Sequence, residues 1–560
     1  MPSLQQRLIA AWERTQVELH GSYSTNRVLA LAKYTRETGW PHIILVLLIS
    51  PLPCLTITVL SDVLPLDDPS KGLQANKMFQ VRQYYSYVVM SFLCAQQFRT
   101  SVRALPYPNL LVIRDTVIVA ALTMAVLYGL VLWIGFPVPF SIVIAMPAWV
   151  VIITVAMAVE WLRLIQQNPG TGIMVFNTIK VWLCEVLLVV TYPPYFYIFT
   201  TLSKTGQMLF ASLLPVIKLI MRNIFTLTVV HLSDEMPEVV VFNSEVFNAL
   251  FVSYCMQNSP SFGTTLMVTA ALLVQLMMSL RDVNAAVFRM DRIGRKLDHE
   301  NVYHDANKGI PKSSFGAHVM TCLERAESMI LDQHEALNPN DKKGSSVRVR
   351  SSVTSLDKLP QIGERAGDME TTTPNMNENN FNFEERGTIH LFSGARIEPA
   401  PPYSDKLARD PKEMTTISLQ YVLEVRRLMY LTEFLVLINY VAIYMGLMYK
   451  LPNRVYYAQL ANLPEDQLNQ ALKNVMFNCG LKILALGLLC SLLQYRLRFS
   501  AIRQLAFVLE KQWPGVQTKI CFWVFYNVQA SLQHHGFDYT FKFSWLYDDS
   551  ITDAQNSTSF

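Results

Sequence analysis

Three ionisable residues stand where charge is expensive. Glu185 lies in an apolar stretch from about Ile179 to Leu202, and Lys218 and Arg222 lie in the next, from about Gln207 to Val230. Lys218 and Arg222 are spaced i, i+4, so on a helix they share one face. A charge at the centre of a bilayer costs about 2.5–3.5 kcal/mol on insertion scales, so these side chains are expected to face a bundle interior or water. Glu185 is the nearest acid in sequence on the preceding apolar segment and is expected to neutralise the pair. Three readings remain open. The residues form a polar track or ligand site between helices broken near Pro193-Pro194 and Pro215, or an ion network that fixes helix pairing, or the sixth segment lies in the membrane interface without crossing.

Other constellations point to less. Glu245 with Asn243 and Asn248 makes part of the seventh apolar segment polar, which fits a bundle interior. Pro51 and Pro53 free backbone carbonyls at membrane depth, which line a cavity or belong to a kink packed against neighbours. His534, His535 and Asp538 match no catalytic spacing and read as structural or interfacial. Arg348 and Arg350 precede Ser351 and Ser352, a pattern a basic-directed kinase recognises and a Ser-rich linker also produces by chance. No nucleotide-binding Gly loop, metal-ligand cluster or Ser/His/Asp set is evident, so no catalytic, cofactor or metal residue is assigned and the chain does not read as an enzyme. The 8 Cys include no Cys-x-x-Cys, and all read as reduced, small hydrophobes.

These residues are carried by long apolar runs. The chain is 51% hydrophobic and 16% charged, where soluble chains carry about 25% charged residues. Thr116 to Ile134 and Pro139 to Val159 hold no charge in 19 or more residues. About 20 apolar residues cross the roughly 30 Å hydrocarbon core of a bilayer. The expected fold class is therefore all-α, a polytopic membrane helix bundle of about ten transmembrane helices, with a cytosolic linker and amphipathic helices.

The other spans are expected at about Trp40 to Leu60, Phe79 to Phe98, Ile179 to Leu202, Gln207 to Val230, Val239 to Met256, Thr264 to Leu280, Tyr430 to Met448 and Phe477 to Leu492. The chain thus divides into an N-terminal cytosolic segment, 1–39; a bundle of about eight helices, 40–282; a cytosolic loop, 283–418; a two-helix hairpin, 419–495; and a cytosolic tail, 496–560. In the first segment Leu4, Leu8, Ile9 and Trp12 fall on one helical face. The loop holds a helical pattern at 318–337 and a polar linker at 338–388 that is expected to be disordered. In the tail, Phe537, Tyr539, Phe541 and Phe543 alternate with polar residues, as a strand or as an extended segment tucked under the bundle.

Arg and Lys set the orientation. Arg99, Arg103 and Arg114 follow the second span, Arg281 to Lys296 the eighth, and Arg496 to Arg503 the tenth, whereas the joint GFPVPF carries no charge. The positive-inside rule then places both termini in the cytosol. The expected partner is the lipid bilayer, with no nucleic acid and no particular protein indicated. A transporter- or channel-like protein is the leading expectation. The alternative is a membrane-embedded receptor or scaffold acting through its loop and tail.

Several strings occur together: SPLPCL at Ser50 to Leu55, PSKGLQANKMFQVR at Pro69 to Arg82, FPVPF at Phe136 to Phe140, MPEVVVFNSEVFNALFVSYCMQ at Met236 to Gln257, and HHGFDYTFKFSWL at His534 to Leu546. In this order they resemble a family of multi-pass membrane proteins of plant-pathogenic oomycetes such as Phytophthora. Leu73 and Gln74 stand where that family more often has a Trp and a basic residue. The resemblance implies membrane class and kinship. It brings no activity and no functional residue.

Overall fold

The computed structural model describes residues 24–168, 170–211, 213–229, 236–258, 464–497 and 500–538, with isolated positions between and beyond them. Among the described residues all regular structure is helical, with no strand and one isolated bridge, Tyr457 to Leu532. Helix α1 (Thr25–Glu37) begins at Ser24, whose hydroxyl accepts the Arg27 N–H at 3.3 Å and satisfies one orphan donor of the first turn. Its face of Val28, Leu29, Leu31 and Ala32 is buried. The amphipathic helix expected over Leu4 to Trp12 lies outside the described residues.

The first span is two helices, α2 (Trp40–Ile49) and α3 (Leu52–Asp62), separated at Ser50 and Pro51. Pro41 and Pro53 sit in the first turns, where a backbone N–H has no intrahelical acceptor to lose. The Ser50 carbonyl at the break accepts from Gln517 Nε2 at 2.9 Å. The proline break is thus a kink closed by a neighbouring side chain.

Next come α4 (Lys77–Ser101), α5 (Asn109–Ile134), α6 (Ser141–Gln167) and α7 (Thr171–Thr201). α4 packs on α5 and α7, and α6 packs on α5 and α7. Their shared core gathers Phe98, Tyr107, Trp149, Trp161 and Trp182. Trp149 Nε1 donates to Ser91 Oγ at 2.8 Å, which satisfies the indole N–H inside the bundle. α7 is helical through Pro193 and Pro194, so the expected break there is absent. The expected sixth span is broken instead, into α8 (Lys204–Ala211) and α9 (Leu214–Val229). α10 (Met236–Asn258), α11 (Glu465–Leu497), α12 (Ala501–Lys511) and α13 (Trp513–Ala530) complete the series.

Among the described residues four stretches are long and apolar enough to cross a membrane: Trp40–Asp62, Asn109–Ile134, Ser141–Gln167 and Thr171–Thr191. That is fewer than ten. α4 has the length, at 25 residues, but carries Lys77, Arg82 and Arg99. α9 has 16 residues, about 24 Å at 1.5 Å per residue, short of a hydrocarbon core. In α11 the apolar part is Gly480–Tyr495. The eighth expected span is described only in part, and the ninth lies outside the described residues. So do the linker 338–388 with Ser351 and Ser352, and most of the helical pattern at 318–337, although Leu323 and Glu327 within it are helical and buried. Glu327 pairs with Arg36 at 2.6 Å.

Residues 500–538, within the segment expected as a cytosolic tail, pack into the bundle. α13 lies among α3, α4 and α10, with nearly every side chain from Val516 to Ala530 buried. The end of α12 and α13 together run parallel to the first span, the former beside α2 and the latter beside α3. His42 meets Glu510 at 2.9 Å, Ser50 meets Gln517, Cys54 meets the Ile520 carbonyl, and Ser61 meets Gln529 at 2.9 Å. Beyond α13 the chain reaches the joint between α5 and α6. Phe140 N–H donates to the Gly536 carbonyl at 3.1 Å, and Trp545 Nε1 donates to the Pro137 carbonyl at 2.9 Å. Gly536 has φ 60°, and a Cβ there would lie 2.4 Å from the Val138 carbonyl oxygen, so this contact needs glycine. The joint and the tail were expected on opposite faces, and here they touch. Of the two readings of 537–543, a strand or an extended segment against the bundle, the described positions show no strand, and Phe537 and Phe543 pack edge-on against Phe140; 539–542 lie outside the described residues.

Candidate functional site

The bundle interior holds more charge than the three residues singled out by sequence. α10 brings Glu238, Asn243 and Glu245 to its buried surface. Glu245 accepts from both Lys218 Nζ and Arg222 NH2 on α9, so the i, i+4 spacing converges on one carboxylate. Lys218 also lies 3.5 Å from Gln275 Oε1, on the helical stretch 273–281. All three charged side chains are buried. The expected partner of the two cations was Glu185, and this pairing is corrected. Helix α10, following α9, supplies the acid, because α9 and α10 pack along each other while α7 offers Glu185 to α4.

Glu185 accepts from Gln97 Nε2 at 2.8 Å. Lys519 of α13 and Asn243 of α10 stand within electrostatic reach of the same carboxylate. Lys519 Nζ donates to Glu238 Oε1 at 2.7 Å, and Trp523 Nε1 donates to Asn243 Oδ1 at 2.9 Å. Gly515 makes this approach possible, since a Cβ there would lie 2.0 Å from Glu238 Oε1. Gln97 and Lys519 line a small cleft, about 30 Å³, with Ser101, Met174, Thr178, Val181 and Val239. That volume admits a water or a bare small ion and excludes an organic solute. Of the ionisable groups only Lys519 lines the space; Glu238 is bonded to Lys519 and Glu185 to the lining residue Gln97, so both acids stand one hydrogen bond away from it.

A second polar cluster closes the far end. Arg82 and Asp62 are fully buried and paired. Tyr457 O–H donates to Asp62 at 2.7 Å, and Arg82 Nε reaches Gln529 Oε1 at 3.3 Å. Gln529 Nε2 donates to Ser61 Oγ. Next to it, His534 Nε2 lies 2.7 Å from the Asp67 carbonyl oxygen and 3.0 Å from Asn76 Oδ1, while His535 Nδ1 lies 2.8 Å from Ser141 Oγ. Burial pulls the His534 pKa down to about 4, against the pull of the Asp67 carbonyl and the Asp68 carboxylate. Burial, with His534 and Arg82 nearby, also holds His535 well below the usual range. Asp538 Oδ2 accepts the Phe543 N–H. These contacts tie the tail to the bundle and make no nucleophile and base arrangement.

Sequence reasoning missed Lys519, Glu238, Gln97, Asp62, Arg82 and Tyr457 as site residues. One signal was present for Lys519: it is the single Lys, Arg, Asp or Glu between Lys511 and Asp538, in an aromatic-rich stretch long enough for a buried helix. No comparable signal existed for Tyr457, which lies 395 positions from Asp62.

No protein-family model matches the chain, and neither curated proteins nor solved structures include a match to it.

Proposed function

We propose that this protein is a transporter- or channel-like membrane protein that moves a proton or a small inorganic ion past Glu185 and Lys519. What supports the reading is the water-sized cleft lined by Lys519 and by Gln97, the hydrogen-bond partner of Glu185, near buried ionisable groups from α7, α10 and α13. In this scheme Lys519 divides its hydrogen bonds between Glu238 and Glu185, and Gln97 holds Glu185 when the lysine leaves it. The Glu245, Lys218 and Arg222 cluster fixes α9 on α10 and carries no ion.

The same reading takes in about ten crossings, an integral membrane location and kinship with the oomycete family that the sequence strings resemble. The end of the bundle that carries α1, α12 and the joint with Arg99, Arg103 and Arg114 faces the cytosol. The opposite end carries Asp67 and Asp68 and the uncharged joint Gly135 to Phe140.

The purified protein in sealed vesicles is expected to dissipate an imposed pH or alkali-ion gradient. Glu185→Gln and Lys519→Met are each expected to lower that flux at least tenfold, while Lys218→Met, which keeps Glu245 paired with Arg222, leaves it within about threefold. Folded wild-type protein with no flux above empty vesicles for protons, Na⁺, K⁺ or Cl⁻ rejects the reading in favour of a receptor or scaffold.

A further inference from the structure

We propose that Cys54 and Cys521 form a redox pair, and that two-electron oxidation joins them in a disulfide that clamps α13 to α3. The register of the two helices carries the inference. α3 and α13 pack along each other. Just before α3, the Ser50 carbonyl accepts from Gln517, and near its end Ser61 accepts from Gln529; these pairs are 467 and 468 positions apart in sequence. The register is therefore nearly constant along α3. One helical turn beyond Ser50 is Cys54, and one turn beyond Gln517 is Cys521. The two thiols meet in a side-chain hydrogen bond, and Cys54 Sγ also lies 3.9 Å from the carbonyl oxygen of Ile520, the residue before Cys521. Both cysteines are free, and they are 0% and 2% exposed.

The chemistry suits the place. A disulfide replaces two neutral thiols by a neutral bond, so oxidation brings no charge into the interior, whereas a metal ion would need thiolates there. Burial selects the oxidant. Hydrogen peroxide is small and uncharged, and it reaches a packed interior that a bulky or charged oxidant does not enter. One sulfur attacks a peroxide oxygen, the O–O bond breaks, and hydroxide leaves, taking the thiol proton as water; that cysteine is then a sulfenic acid. The second sulfur attacks the first, the S–O bond breaks, and hydroxide leaves with the second thiol proton, again as water. Two thiols are oxidised by two electrons and one peroxide is reduced to two waters. The first step is slow, because peroxide must enter the interior, and the second is fast, because the resolving thiol is already in contact. Lys519 lies two residues before Cys521 on α13. The bond fixes the height and rotation of that helix, and with them the reach of Lys519 between Glu238 and Glu185, so oxidation arrests ion flux. That consequence rests on the ion-moving reading above; the bond does not.

The test is made on the full chain in detergent. After hydrogen peroxide treatment and blocking of the remaining free thiols, the protein is digested and its peptides are read by mass spectrometry, with and without a reductant. The expected result is a linked peptide joining Cys54 to Cys521, which reductant dissolves and which is absent from Cys54→Ala and from Cys521→Ala. Because the bond joins residues near the two ends of the chain, a protein cut once between them is expected to run as one piece on a non-reducing gel and as two on a reducing gel. Both thiols still free after exhaustive treatment, or a sulfinic acid at either with no linked peptide, overturns the pair. In sealed vesicles peroxide is expected to lower the wild-type flux at least tenfold, reductant to restore it, and Cys54→Ala to keep its flux through the treatment. A linked protein with unchanged flux overturns the arrest. Reduced wild type with no flux rejects the ion-moving reading, and the linked peptide then decides the bond by itself.

Discussion

Helix α5 turns Leu110, Leu132 and Trp133 outward, between 69% and 83% exposed, whereas Val516, Trp523, Val524 and Phe525 of α13 are entirely buried. The more apolar helix is on the outside. α13 carries Gln517, Lys519 and Gln529, and each is hydrogen-bonded to another helix: to the Ser50 carbonyl, to Glu238 and to Ser61. This inverts the arrangement of a soluble protein. In lipid, apolar side chains gain little by leaving a medium as apolar as themselves, so helices associate through close packing and interhelical hydrogen bonds. A helix that reads as less apolar is therefore the better candidate for the interior, and a run without charge is the better candidate for the lipid face.

The sharpest way to break this comparison is to remove a buried polar group at the α13 end. Arg82→Leu leaves Asp62 charged and buried, and such a loss costs about 3–5 kcal/mol. Thermal unfolding in detergent is expected to show this as a large drop in Tm. The double change with Asp62→Leu is expected to recover most of it, since the penalty comes from the orphaned charge. A drop from Arg82→Leu that Asp62→Leu leaves uncorrected would mean that the pair does not anchor α3 to α4.

Acid is expected to act next, and on the same end. His534 titrates at about 4 in the folded protein against 6.5 when unfolded. The unfolded chain then binds more protons between these values, so the contribution is complete above about pH 6.5 and is lost as the pH falls toward 4. At 1.36 kcal/mol per pKa unit, the loss is on the order of 3 kcal/mol, with His535 adding in the same direction. Asp67, Asp68 and Arg82 are the charged groups that face His534. Tm is expected to fall across this window, with a clearly shallower slope in His534→Asn. Equal slopes would show that the tail is not held by a neutral histidine.

The smallest effect belongs to the outer helices. Trp133→Ala removes a large side chain that is 83% exposed, and Tm in detergent is expected to shift by less than the equivalent of about 0.5 kcal/mol. The same change at Trp523 should cost roughly 3–5 kcal/mol. Similar costs at the two positions would erase the distinction between lipid face and interior.

Much of α5 and α6 was legible in the sequence, because nineteen or more charge-free residues mark a helix long and apolar enough to cross a membrane without reference to anything else. The Pro51 and Pro53 break was legible too, but not the Gln517 side chain that closes it. Glu185, Lys218 and Arg222 were recognisable as buried charges, since their cost in lipid is a property of each residue. Their partners were not. Glu185 and Glu245 are both acids on neighbouring apolar segments, and only the packing of α9 on α10 assigns the second to Lys218 and Arg222.

What the sequence by itself determined is the helical class of the described residues, the stretches long and apolar enough to cross a membrane, and the residues that would be costly in lipid, because length, apolarity and charge are local quantities. Tertiary structure alone decided that α13 is an interior helix, that Gly536 seats the C-terminal segment on the joint between α5 and α6, and that Tyr457 joins Asp62 and Arg82. Those outcomes depend on distances between residues hundreds of positions apart, and a mixed stretch such as Trp513–Ala530 reads alike as a tail or as a core until its neighbours are in place.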